Sequence, residues 1–112
     1  MSRRAEVLCW VAQRASAAVL GLCVLVHLAT MVYAVRGGLT AAEILSRTQA
    51  SVAWFAFYAV FVVSVAVHVP LGLRAVLGEW LGWRGASREA AMAAFGVFLL
   101  AFGLRAVFAV FR

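Results

Sequence analysis

TQASVAWFAFYAVFVVSVAVHVPLGL, residues 48–73, runs for 26 residues without a charged side chain. A helix of that length is about 39 Å long at 1.5 Å per residue, more than the roughly 30 Å hydrocarbon thickness of a bilayer. A single apolar segment can span only as a helix, because with no water nearby each backbone amide must find its partner inside the segment. The run therefore reads as a membrane-spanning helix. It carries one titratable imidazole, His68, about four-fifths of the way along. Such a group at membrane depth is costly and normally has a function. One turn further on, Gly72 lies on the same face and leaves a patch free of side chain, flat enough for a planar ligand or a second helix. Arg74 follows near the membrane surface, where it can meet a carboxylate. The plainer alternative is a histidine hydrogen-bonded to a neighbouring helix, with a glycine for close packing.

The rest of the chain extends this reading. Its 112 residues are 67% hydrophobic with a mean hydropathy of +1.05, more apolar surface than a soluble domain of this size can hide. The fold class is all-α: an integral membrane protein whose three transmembrane helices form part of a multi-subunit helical bundle. Four glutamates and ten arginines, with no lysine or aspartate, lie almost wholly outside the apolar runs. The +6 charge is thus a topology signal, and no basic block stands clear of the membrane to bind nucleic acid. Cys9 and Cys23 have no metal or redox spacing and read as small hydrophobes. Ser2-Arg3-Arg4 looks like the start of an export signal, but the uncharged run from Ala15 to Val35 is long enough for a full span, so the N-terminus is treated as part of the working protein.

Residues 1–112 read as a single domain with helices at about 7–35, 48–77 and 87–111. Gly37-Gly38 ends the first, by a left-handed termination. Thr40-Ala41-Ala42-Glu43 has the capping-box pattern and predicts a short surface helix at about 40–46; Ser46-Arg47-Thr48-Gln49 repeats the pattern and starts the second span. Trp80 and Trp83 among Gly78, Gly82 and Gly85 make an interfacial loop, and Ser87 caps the third helix. With the N-terminus inside, that side holds Arg3, Arg4, Arg14, Arg74, Arg84 and Arg88 against Arg36, Arg47, Arg105 and Arg112, so the expected location is an inner membrane with a cytoplasmic N-terminus. Three apolar helices bury few of one another's faces, and a partner chain is expected.

A second histidine, His27, lies in the first span on a stripe with Cys9, Gln13, Ser16, Cys23 and Thr30, all within about 60° at 100° per residue. Such a stripe faces a partner rather than lipid; it is either a ligand face or a plain helix seam with back-bonded hydroxyls. The second span carries Phe57, Phe61, Ser64, His68, Gly72 and Ala75 on one face. Pro70 cannot donate to the Ala66 carbonyl and bends the helix beside His68. Measured from Arg14 and Arg74, His27 lies about 20 Å deep and His68 about 9 Å. One iron cannot take both as opposed axial ligands, so each would need a partner from another chain.

Gln13-Arg14-Ala15-Ser16, then His68-x-x-x-Gly72-x-Arg74 with Glu79 beyond, resembles the cytochrome b membrane-anchor subunit of succinate:quinone oxidoreductases and quinol:fumarate reductases over nearly the whole chain. The family commonly has His-Arg-x-Ser-Gly where this chain has Gln13-Arg14-Ala15-Ser16-Ala17, and aspartate at Glu79. The resemblance implies haem b, one or two, shared with a second anchor subunit, with His68 an axial ligand, Arg14 a propionate partner, and His27 similar to the first-helix histidine of two-haem members. Gly72, Arg74 and Ser64 complete the implied haem surroundings, and Ser16, Gln13 and Trp10 the implied quinone site. It further implies an iron-sulfur subunit, a flavoprotein that carries the succinate chemistry, and membrane quinone as the electron acceptor. Bis-imidazole ligation suits electron transfer because it leaves no open iron position. A haem-less structural anchor is an alternative. A small drug transporter is another, but it would need four spans and an intramembrane carboxylate that this chain lacks.

Overall fold

The glycine pair at 37–38 closes the first helix by two bonds. Gly38 takes φ +63°; its N–H donates to the Val35 carbonyl at 3.2 Å, and the Leu39 N–H to that of Ala34 at 3.0 Å. These are the paired bonds of a Schellman ending, whose left-handed residue glycine supplies without a Cβ clash. The computed structural model describes residues 2–112. Its helices are α1 (Arg3–Arg36), α2 (Ala41–Thr48), α3 (Val52–Trp80) and α4 (Ala86–Phe111). Of these, α1, α3 and α4 are long and apolar enough to cross a membrane, and the long axis of 49 Å carries their ends beyond the hydrocarbon layer.

Several boundaries differ from the sequence reading, each for a local reason. Helix α1 begins at Arg3, because Ser2 caps it by accepting the Ala5 N–H at 3.2 Å. The capping box of Thr40 and Glu43 is present, but residues 46–49 do not start the second span. They finish α2, with the Ser46 and Thr48 hydroxyls donating back to the Glu43 and Leu45 carbonyls. Ala50 then turns at φ +56°, and Ser51 caps α3 by accepting the Trp54 N–H. Ser87 likewise is not a cap: its hydroxyl accepts the Trp83 indole N–H at 2.8 Å, while Gly85, at φ +96°, is the N-cap residue of α4.

Helix α3 is the central element, with α4 packed on one side and α1 on the other. Close approach to α4 rests on two glycines. A side chain on Gly96 would stand 3.3 Å from the Ala66 carbonyl and 3.4 Å from the Pro70 ring, and one on Gly103 would collide with Val62. Helix α3 continues through Pro70, which is buried, and the acceptor that proline frees at Ala66 lies against Gly96 of α4. In lipid such small-residue contacts matter because backbones can then approach closely and gain dispersion energy. At the far end, the last carbonyls of α4 accept from the turn before α3: Val110 from the Thr48 hydroxyl, Phe111 from the Ala50 N–H at 2.7 Å, and Arg112 from the Gln49 amide. Phe55 packs there on Phe108 and Phe111. The outer faces of α1 and α4 remain bare, with Leu22, Leu25, Val97 and Phe102 more than half exposed. They are surfaces for lipid or another chain.

Candidate functional site

The polar stripe of α1 is turned onto α3 of the same chain, not toward a partner as its polarity predicted. Ser16 and Cys23 are buried, and the Gln13 amide nitrogen lies 3.0 Å from where a side chain on Gly72 would begin. The flat patch over Gly72 is therefore filled by Gln13. Polarity along a helix says only that a face avoids lipid; it does not say which neighbour covers it.

His68 stands one turn before Gly72 on this seam. Its Nδ1 is buried and has no hydrogen-bond partner, and the same holds for Oε1 of Gln13; no other buried side-chain nitrogen or oxygen among the described residues is left so. Each orphan costs about 1–3 kcal/mol of desolvation, so this is the least satisfied part of the chain. The His68 residue as a whole is half-buried within α3. The ring thus carries a buried nitrogen that the chain itself leaves without a partner. Hydroxyls nearby are engaged: Ser16 donates to the Gln13 carbonyl at 3.1 Å and Ser64 to that of Val60 at 2.8 Å.

The arginines divide. Arg14 lies over the Trp10 ring, 5.5 Å from its centroid, and both are exposed, so they face away from the Gln13–His68 seam. Arg74 instead meets a carboxylate of its own chain: its Nε lies 2.9 and 2.8 Å from the two oxygens of Glu89. Arg88 donates to the same Glu89 and, through Nη1, to the Arg74 carbonyl at 3.3 Å. Arg88 is buried against Gly78, which has no side chain to obstruct the guanidinium. Glu6 and Arg84 join Arg74, Arg88 and Glu89 around a polar hollow of about 450 Å³, so the start of α1, the end of α3 and the start of α4 share one side. Sequence reasoning missed Glu89 because the pair forms only when the α3–α4 hairpin closes, across 15 residues with no periodic signal.

His27 has a different setting. Its Nδ1 is 3.4 Å from the Tyr58 hydroxyl, and the ring stands edge-on to Tyr58 and Phe61. The Thr30 hydroxyl donates to the His27 carbonyl at 2.7 Å, not to the ring. Grooves of about 320 and 490 Å³ open beside it, the first lined by Trp54 and Arg47, the second by Val65 and Phe102. Tyr58 was not singled out in the sequence, where it is one aromatic residue among several. His27 is level with Tyr58 and Phe61, seven to ten residues before His68 on α3, a separation of about 10–15 Å along the helix.

The fold defines a three-span helical membrane protein whose central helix carries a half-buried histidine one turn from a polar seam. The match to a family model is specific: residues 1–108 fit the succinate dehydrogenase/fumarate reductase transmembrane subunit, and the chain belongs to that family. It is a membrane anchor subunit of that enzyme complex. No curated protein and no solved structure matches closely enough to be counted a relative.

Proposed function

We propose that this chain is a cytochrome b anchor that holds haem b through Nε2 of His68 and serves electron transfer between the iron-sulfur subunit and membrane quinone. The observation that carries the reading is a half-buried histidine within a spanning helix, whose Nδ1 is buried with no partner in the chain. The donor set also fits. Among the described residues no three His, Cys, Asp or Glu side chains gather, so an iron here needs a group that brings its own equatorial ligands, as a porphyrin does. When bound, haem b supplies a one-electron iron couple. His68 would hold it, together with a second anchor subunit laid over the bare face. Arg14 and Trp10, at the membrane boundary on the face of α1 turned away from His68, would serve a quinone bound outside the seam, the arginine by donating to its carbonyl and the indole by stacking. Ser16 and Gln13 face the seam and contribute less there. Arg74, already bonded to Glu89 and Arg88, fixes the helix ends near the haem edge. The six-to-four arginine distribution supports a cytoplasmic N-terminus, where the iron-sulfur and flavoprotein subunits dock.

A second haem at His27 is favoured by one observation: the Tyr58 hydroxyl engages Nδ1, leaving Nε2 for iron. The purified complex tests both readings. Haem b, quantified per flavin with a reduced-minus-oxidised spectrum, is expected at two equivalents, and His68→Ala removes one. A full haem complement with unchanged spectra in His68→Ala overturns the assignment, because a haem held by His68 could not survive its loss unaltered.

A further inference from the structure

Two buried side-chain atoms have no partner in the chain, Nδ1 of His68 on α3, able to donate, and Oε1 of Gln13 on α1, able only to accept, and the Gln13 amide rests over Gly72, one turn from His68. We infer that Gln13 is the positioning residue of His68: its Oε1 accepts the Nδ1 proton, and this bond sets the tautomer and ring angle that leave Nε2 free for a metal. The inference rests on the haem reading of His68 and adds to it a residue on a different helix.

The chemistry of each atom limits the alternatives. A neutral imidazole carries one N–H, so a proton held on Nδ1 makes Nε2 the lone-pair nitrogen. An amide oxygen can only accept. Ligating histidines usually donate their other N–H to a carbonyl or carboxylate, which raises the basicity of the bound nitrogen. On α1 the Gln13 carbonyl already takes the Ser16 hydroxyl, which leaves the side-chain Oε1 as the free acceptor of that residue. Gln13 is held at the right level by the space over Gly72, one turn from His68, where its amide nitrogen rests 3.0 Å from the missing Cβ position. Gly72 thus serves the site indirectly, by admitting the amide into the seam. In the chain alone the two atoms are not joined; fixing Nε2 on iron orients the ring, and the unpaired acceptor in this seam is Oε1 of Gln13.

Two variants of similar size separate this from simple packing. Gln13→Glu places a carboxylate at Nδ1, gives the ring imidazolate character and is expected to lower the midpoint potential of the His68 haem. Gln13→Met removes the acceptor, weakens donation from the ring and is expected to raise it. Both should keep the haem that His68→Ala loses. Shifts of opposite sign support the bond; shifts of one sign, no shift, or a changed KM for quinone with the potential unmoved overturn it. If neither variant assembles, electron-nuclear double resonance on the wild-type complex decides: the Nδ1 proton of the ligating histidine is either hydrogen-bonded to a fixed acceptor and slow to exchange, as proposed, or in rapid exchange with solvent, which overturns it. A wild-type complex without haem b, or one whose haem is indifferent to His68, removes the parent reading as well. That outcome is distinguishable from failure of the Gln13 bond alone.

Discussion

The two halves of α3 hold α1 in opposite ways. Toward the start of α3, His27 is wedged among Tyr58 and Phe61, with Trp54 stacked on Tyr58 at 5.8 Å, and its Nδ1 has a partner inside the chain. Toward the end, His68 and Gln13 each keep a buried atom unpaired, while a lock of Arg74, Arg88 and Glu89 closes the helix ends beyond them. One region completes itself and the other does not. A buried unsatisfied group is rare in a native fold and calls for an explanation, and the proposed haem at His68 would be one. The finished half has a claim only through the one nitrogen that Tyr58 leaves over.

The sharpest way to break this comparison is to remove the histidine of the finished half. His27→Ala is expected to lower haem per flavin from two to one, leaving the His68 haem spectrum intact. A wild-type ratio of one would make His27 a packing residue, held by its aromatic neighbours, and confine the cofactor to the unfinished half.

A smaller but still large effect is expected at the helix ends. Glu89 accepts charge-assisted hydrogen bonds from Arg74 and Arg88, which are mostly buried at 18% and 11% side-chain exposure, while Glu89 itself is 38% exposed. Charge-assisted bonds contribute roughly 1.5–3 kcal/mol each when sheltered, and partial exposure reduces this. Glu89→Ala should therefore cost about 1–3 kcal/mol in all, read as a lower melting temperature of the assembled complex. Glu89→Gln, which keeps the shape but not the charge, should lose less. An unchanged melting temperature in both would show the lock to be incidental.

How much of this was legible in the sequence follows from the physics of each feature. The three spans were, because uncharged runs longer than the hydrocarbon layer have no other stable form. The Gly37-Gly38 ending and the Thr40–Glu43 box were, because both depend only on neighbours in sequence. The stripe of α1 was visible as a polar face, but its burial against α3 was not. The pairings of Gln13 with Gly72, Arg74 with Glu89 and His27 with Tyr58 all depend on how helices turn toward one another, and in a chain so uniformly apolar the hydropathy pattern barely records that rotation. Ser87 and residues 46–49 misled for a related reason: their hydroxyls found an indole and nearby carbonyls in place of helix-end amides.

The smallest expected effect, and the finest test of the contrast, is Tyr58→Phe. It deletes the hydroxyl beside Nδ1 of His27 while keeping the ring that stands edge-on to the imidazole. At 3.4 Å the bond is long, so its loss should cost no more than about 0.5–1 kcal/mol, and the complex should assemble with its full haem content. The variant nevertheless leaves Nδ1 of His27 without its partner in the chain. If His27 ligates iron, the potential of the deeper haem should rise while that of the His68 haem stays where it was. If His27 only packs, neither potential moves. A shift of the His68 haem instead would contradict the 10–15 Å separation inferred along α3, and with it the division of the chain into two halves.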